Sequence, residues 1–206
     1  MIAGVVLVAL TLAACSGGDD GGGGGGTGGA ATGGDTSQNV SAEAYAKSLC
    51  TSMQTYITDV TDLSNTFVSN LDPSADLAGQ RDAVIGFLDD VLAATDALIS
   101  DLEGAGVPDV EGGADITSAV KQSFDRARSV IEDAKSQVQG LSLDDPTQFA
   151  SRLSDIGTTI QTSLGDIGGS LSALNSPQLS EAVAAEPACA SVASAAGGGS
   201  GATGTT

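Results

Sequence analysis

The chain has 206 residues, 29 of them glycine, with 26 acidic and 7 basic side chains, a formal charge of -19 and no histidine. That charge excludes a nucleic-acid surface, because neutralising phosphates takes clustered Lys and Arg. The missing imidazole excludes every histidine-built site, from a Ser-His-Asp triad to HExxH zinc or CxxCH haem attachment.

The first element is an apolar run, residues 1–14, closing on Leu12-Ala13-Ala14-Cys15. This looks like a bacterial lipobox, in which residues 1–14 are a removed signal peptide. The run is too short to span a bilayer, which takes about 20 apolar residues. The expected anchor is therefore lipid, diacylglycerol and palmitate on Cys15, with the mature lipoprotein on the outer, extracytoplasmic face of the cytoplasmic membrane. No Lys or Arg precedes the run, where a signal peptide carries positive charge, which points to a translation start upstream of Met1. With Cys15 consumed, Cys50 and Cys189 remain as an even pair in an oxidising setting, and a disulfide is expected. Closing a loop of about 139 residues would stabilise the fold by up to roughly 5 kcal/mol.

Residues 15–39 hold the anchored cysteine and a glycine-rich tether. Its mean reach is about 27 Å for a flexible chain of this length. The tail over 194–206 has similar composition and is expected to be disordered. Neither matches a phosphate-binding loop, since no GxxxxGK[ST] is present.

Between the tails, over 40–193, four stretches repeat apolar residues at alternating three and four spacing, the mark of helices that hide one face. The first stripe is Leu49, Met53, Tyr56, Val60, Leu63, Phe67 and Leu71, with Ser41 as N-cap. Asp72-Pro73 reads as the start of the second, whose stripe is Leu77, Val84, Leu88, Val91, Leu98 and Leu102, widened by Ile85, Leu92 and Ile99. Gly104 and Pro108 stop it, and a loop is expected to about Gly113. The third stripe is Ile116, Val120, Phe124, Ala127, Ile131, Ala134, Val138 and Leu141, ending near Gly140. Asp145-Pro146 starts the fourth, with Phe149, Leu153, Ile156, Ile160, Leu164, Ile167, Leu171 and Leu174. Ser176-Pro177 opens one last short helix leading to Pro187 and Cys189.

Four helices of about 28 residues, each roughly 42 Å long, joined by short connections, predict an all-α fold: an antiparallel up-down-up-down four-helix bundle with a short C-terminal helix. In that topology Cys50 and Cys189 come to the same end. An odd number of long helices would separate them far beyond the about 7 Å limit for bridged Cα atoms.

Chemistry-bearing candidates are few. Asp109, Glu111 and Asp115 place oxygen ligands near glycines, a weak calcium pattern that lacks the EF-hand spacing. Helix two carries Asp76, Asp82, Asp89, Asp90, Asp96, Asp101 and Glu103 against Arg81 alone, which reads as a solvated face before a docking face. Helix three holds Lys121, Arg126, Arg128 and Lys135. Lys121 with Asp125 and Arg128 with Glu132 are i,i+4 pairs of a self-stabilising helix, and an anion site at Arg126 or Arg128 is the sharper alternative. Gly157, Gly165, Gly168 and Gly169 lie in helix four, as a packing device or a break at Gly168-Gly169. With no tryptophan, two tyrosines and four phenylalanines, aromatic ligand cages are poorly supplied.

The lipobox, the glycine tether, Tyr45 with Leu49-Cys50, the turn Gly106-Val107-Pro108-Asp109-Val110, Asp145-Pro146 and the closing Glu186-Pro187-Ala188-Cys189 together give a resemblance. The chain resembles small exported lipoproteins of actinobacteria of unassigned function. The resemblance implies no active-site residues.

The functional expectation is a non-catalytic, surface-anchored binding or interaction module of the cell envelope, with no cofactor. Its partners would be the membrane, through the acyl anchor on Cys15, and an envelope or extracellular protein. The alternative is a small-ligand or metal-ion carrier using an inter-helix cavity or the loop from Asp109 to Asp115.

Overall fold

The structure is a computed structural model that describes residues 38–72, 75–172 and 176–197. Cys15 and the residues read as a lipobox, the glycine-rich stretch before residue 38 and the residues after 197 lie outside the described residues. So do the side chains of Leu164, Ile167 and Leu171, and Leu174.

The described chain is all-α apart from two strands of two residues. In order it runs β1 Asn39–Val40, α1 Ala42–Asn70, α2 Leu77–Gly104, β2 Val107–Pro108, α3 Gly113–Gln139, α4 Pro146–Ser172, α5 Pro177–Ala185 and α6 Pro187–Gly197. Local chemistry explains the boundaries. The Ser41 hydroxyl accepts from Ala44 N at 3.2 Å, and Asp145 Oδ1 accepts from Thr147 N at 2.8 Å and Gln148 N at 3.2 Å, each satisfying donors the first turn leaves free. Proline stands at the first position of α4, α5 and α6, where its missing N–H is not needed. Three boundaries differ from the sequence reading. Helix α2 starts at Leu77, not at Asp72-Pro73, because Asp76 caps it by accepting from Gly79 N at 2.8 Å. Pro187 divides the C-terminal segment into two short helices instead of one, and α6 runs past residue 193 to Gly197. The loop expected before Gly113 contains β2.

Packing runs through successive pairs, α1 on α2, α2 on α3 and α3 on α4, while α5 and α6 lie against α1. Two apolar clusters form along the helices. The first joins Tyr45 and Ala46 of α1, Leu98, Ile99 and Leu102 of α2, Ile116, Val120 and Phe124 of α3, and Leu179 and Ala182 of α5. The second joins Leu88 and Val91 of α2, Ile131, Ala134 and Val138 of α3, and Ile156 of α4. Among the described side chains, α5 completes one cluster and α4 the other. Leu71, placed on the first stripe by its spacing, is 43% exposed, because the helix ends at Asn70 and Leu71 stands beyond it as the C-cap in an extended conformation.

The two strands pair in parallel, Asn39 with Val107 and Val40 with Pro108. Val107 N donates to the Gln38 carbonyl at 3.0 Å and Asp109 N to the Val40 carbonyl at 2.8 Å. Gly106 makes this clasp possible. Its φ of 82° is left-handed, and a Cβ there would strike the Gln38 carbonyl.

Candidate functional site

The end of the molecule where α1 begins gathers its distinctive features. There the clasp ties residues 38–40 to the α2–α3 turn. A disulfide between Cys50 of α1 and Cys189 of α6, with Cα atoms 4.9 Å apart, holds the C-terminal helices on α1. Both cysteines are buried. The pairing follows the cysteine count, but it is α5 and α6 that bring Cys189 back.

Beside the clasp is a cavity of about 290 Å3, lined by Tyr45 of α1, Leu102 and Glu103 of α2, Gly106 and Val107 of the turn, and Thr117, Val120 and Lys121 of α3. Sequence reasoning did not assemble it. Tyr45 extends the first stripe by one turn, four residues before Leu49, and this spacing could have identified it. Thr117 carries no such signal. Burial pushes the Tyr45 phenol up, and the nearby Thr117 hydroxyl opposes that in part. The two hydroxyls do not form a hydrogen bond of ordinary geometry, and Thr117 Oγ1 is enclosed without a partner. At the rim, the Lys121 ammonium reaches Glu103 at 3.2 Å and Asp125 at 3.1 Å. The hydrogen bonds it donates, to Asp125 first and Glu103 second, push its pKa up.

The same pairing continues along α2 and α3. Arg128 joins Asp96 and also Glu132, the latter at 2.8 Å, and Lys135 joins Asp89. The hydrogen bond and charge of Asp96, then the charge of Glu132, push the Arg128 pKa up. The i,i+4 pairs read from the sequence are therefore one side of a ladder between helices. Three acids of the helix-two face, Asp89, Asp96 and Glu103, are used in holding α3.

This placement answers for the weaker candidates. Of the two arginines weighed for an anion site, Arg128 is paired with two carboxylates, while exposed Arg126 donates to Ser123 Oγ at 3.1 Å. Asp109, Glu111 and Asp115 are all exposed, and no three Asp, Glu or Cys side chains among the described residues converge as metal ligands would. Asp115 lies in the first turn of α3 instead, where a carboxylate favours the helix dipole. Helix α4 continues through Gly168-Gly169 to Ser172, so the break considered there is not present. Among the described residues no helix is long and apolar enough to cross a membrane.

Comparison of the chain with protein-family models, with curated proteins and with solved structures gives no match.

Proposed function

We propose that this chain is a non-catalytic binding or interaction module of the cell envelope, held on the outer face of the cytoplasmic membrane by acyl chains on Cys15. One observation carries the reading. The chain enters the helical body through the clasp of Gln38 and Val40 with Val107 and Asp109, at the end also cross-linked by Cys50 and Cys189. A body hung from that end receives load where it is best tied and leaves its long helices free for a partner. The long helices are proposed to run up-down-up-down, which the contacts of successive helices and their short joins favour. With a charge of -19, the surface is repelled by anionic headgroups within about a Debye length and suits a partner with basic groups.

Crosslinking on intact cells tests this. One envelope protein should be captured reproducibly; labelling of random neighbours alone would remove the idea. Replacing Cys15 by Ser should release the protein from membranes, and unchanged acylation and partitioning would refute the anchor.

The cavity beside Tyr45 favours a second reading, a carrier of a small ligand. A carrier should melt higher with an envelope lipid or metabolite extract, and an indifferent melt across such extracts counts against it.

A further inference from the structure

Helix α1 buries its apolar stripe only near its start. Tyr45, Ala46 and Cys50 are buried and no later residue of α1 is, whereas α3 buries a side chain on every turn from Ile116 to Val138. The difference is one of coverage. Helix α6 holds the row of α1 at Cys50 through the disulfide, and the same row continues at helical spacing as Ile57, Thr61, Ser64 and Val68. Ile57 and Ser64 are half-buried, Thr61 is exposed, and Val68 is 48% exposed. Farther along, α1 and α4 both border the second cluster, α1 through half-buried Leu63 and α4 through Ile156. Yet among the described residues these two helices do not pack on each other as successive helices do. The second cluster therefore has an open side between α1 and α4.

That side differs from the rest of the surface in charge. The chain carries -19, but the α1 row and its neighbours Gln54 and Asn65 are uncharged, as are Ala150, Leu153 and Gly157 of α4. Asp59 and Asp62 of α1, and Arg152 and Asp155 of α4, are turned at least about 100° around their helices from these rows, at 3.6 residues per turn. Two copies of so acidic a chain repel each other wherever carboxylates meet, and here they can meet without doing so. Hydroxyl and amide groups both donate and accept hydrogen bonds, so this surface is complementary to itself, as a two-fold pair requires. Its size suffices. Two helix flanks about 10 Å wide and about 30 Å long present roughly 600 Å2, and two copies would bury about 1,200 Å2, the lower bound for a specific pair. An acyl chain laid on the same open surface would stay half in water, whereas a bilayer buries it fully.

We propose that two copies of the chain pair through this side, about a two-fold axis along the helices, with α1 of each copy against α4 of the other. Copies hung from one membrane present the same end to it. Such an axis brings the two open sides together with both clasps toward the membrane, at a raised effective concentration. Pairing covers Ile57 and Val68 and closes the second cluster on its open side. It leaves the exposed acids of α2 outward, so it goes beyond the envelope-partner reading without displacing it.

Sedimentation equilibrium of the full chain in density-matched micelles reads the mass of the protein alone. The parent should pass from one chain to two with a dissociation constant on the order of 10 µM, tighter in high salt, where repulsion between the acidic copies is screened. Thr61→Glu and Val68→Asp each set a carboxylate in the face and should weaken pairing at least about tenfold. Ala97→Glu adds the same charge at an exposed position of α2 and should change pairing less than about threefold. All three positions are exposed, so helical circular dichroism should match the parent; should Val68→Asp fail to fold, Thr61→Glu decides alone. A single-chain mass up to about 1 mM, pairing indifferent to Thr61→Glu, or equal weakening by Ala97→Glu would each overturn the proposal. So would a single chain whose Thr61 and Val68 amide resonances move when Cys15→Ser removes the acyl chains, because those chains would then occupy the face. A single-chain mass with one envelope protein still captured on cells would leave the module reading standing and this pairing refuted.

Discussion

Asp96 of α2 and Arg128 of α3 are ion-paired at the middle of a ladder whose outer rungs are Glu103 with Lys121 and Asp89 with Lys135. The three acids are spaced seven residues apart on one helix and the three bases seven apart on the other. Two antiparallel helices bring such positions together rung by rung, and a slip of one turn would oppose apolar or uncharged residues to the bases. The side chains are largely exposed, so the ladder contributes more to register than to total stability.

Reversing one rung should therefore act through repulsion. Arg128→Glu sets a third carboxylate against Asp96 and Glu132, and the melting temperature should fall by a few degrees, more in low salt than in high. Adding Asp96→Arg should recover part of the loss. Thermal melts at two ionic strengths check this, and a single variant as stable as the parent in low salt would contradict the ladder.

Reduction of the Cys50–Cys189 bridge should lower stability by up to about 5 kcal/mol, the chain-entropy value for a loop of this length. Urea unfolding with and without reductant measures it. Protein taken from cells should show no free thiol at these positions, and two titratable thiols would refute the bridge in its native setting.

Alkali should unfold the protein through three groups acting in the same direction. Burial raises the phenol pKa of Tyr45 and of Tyr56, with the Thr95 hydroxyl, 3.4 Å from Tyr56, opposing it in part. Bonding to Asp125 and Glu103 raises that of Lys121. A group raised on folding gives stability that is whole below its unfolded value, about 10 for these side chains, and that is lost as pH rises through the folded value. With two tyrosines and no tryptophan, absorbance at 295 nm reads the phenols directly. Their ionisation should coincide with loss of helical circular dichroism above about pH 10, and phenols that titrate freely while the helices persist would contradict the burial.

The cores and the exposed end of the first stripe should respond oppositely to truncation. Ile131, 3% exposed in the second cluster, should cost about 2–5 kcal/mol as Ile131→Ala. Leu71→Ala, at the exposed end of α1, should change stability by no more than about 0.5 kcal/mol. Comparable losses in urea unfolding at both positions would mean that Leu71 is covered.

The clasp should depend on Gly106. Gly106→Ala adds a Cβ at a left-handed φ and against the Gln38 carbonyl, so the strand pair should open. Amide exchange at Val107 and Asp109 should speed up at least tenfold, while α3 amides such as Ile131 stay protected. Unchanged exchange at Val107 would show that the turn tolerates the side chain.

Sequence periodicity by itself determined the helical class, the length of the four long helices and most of their buried faces. The third stripe is the clearest instance, from Ile116 to Val138, because an amphipathic helix written at 3.6-residue spacing can bury only one face. Local caps at Ser41 and Asp145 were legible for the same reason: they need only neighbouring residues. The cysteine count alone pointed to the bridge. Tertiary structure decided what depends on distant neighbours. It alone made Thr95 a core residue against Tyr56 and carried Asp89, Asp96 and Glu103 across to the bases of α3. It also brought Tyr45 and Thr117, 72 positions apart in the sequence, to one cavity. A polar side chain carries no periodic signal of burial, and an exposed acid looks the same on a free face as on a ladder. Only the packing of one helix on the next assigns them different roles.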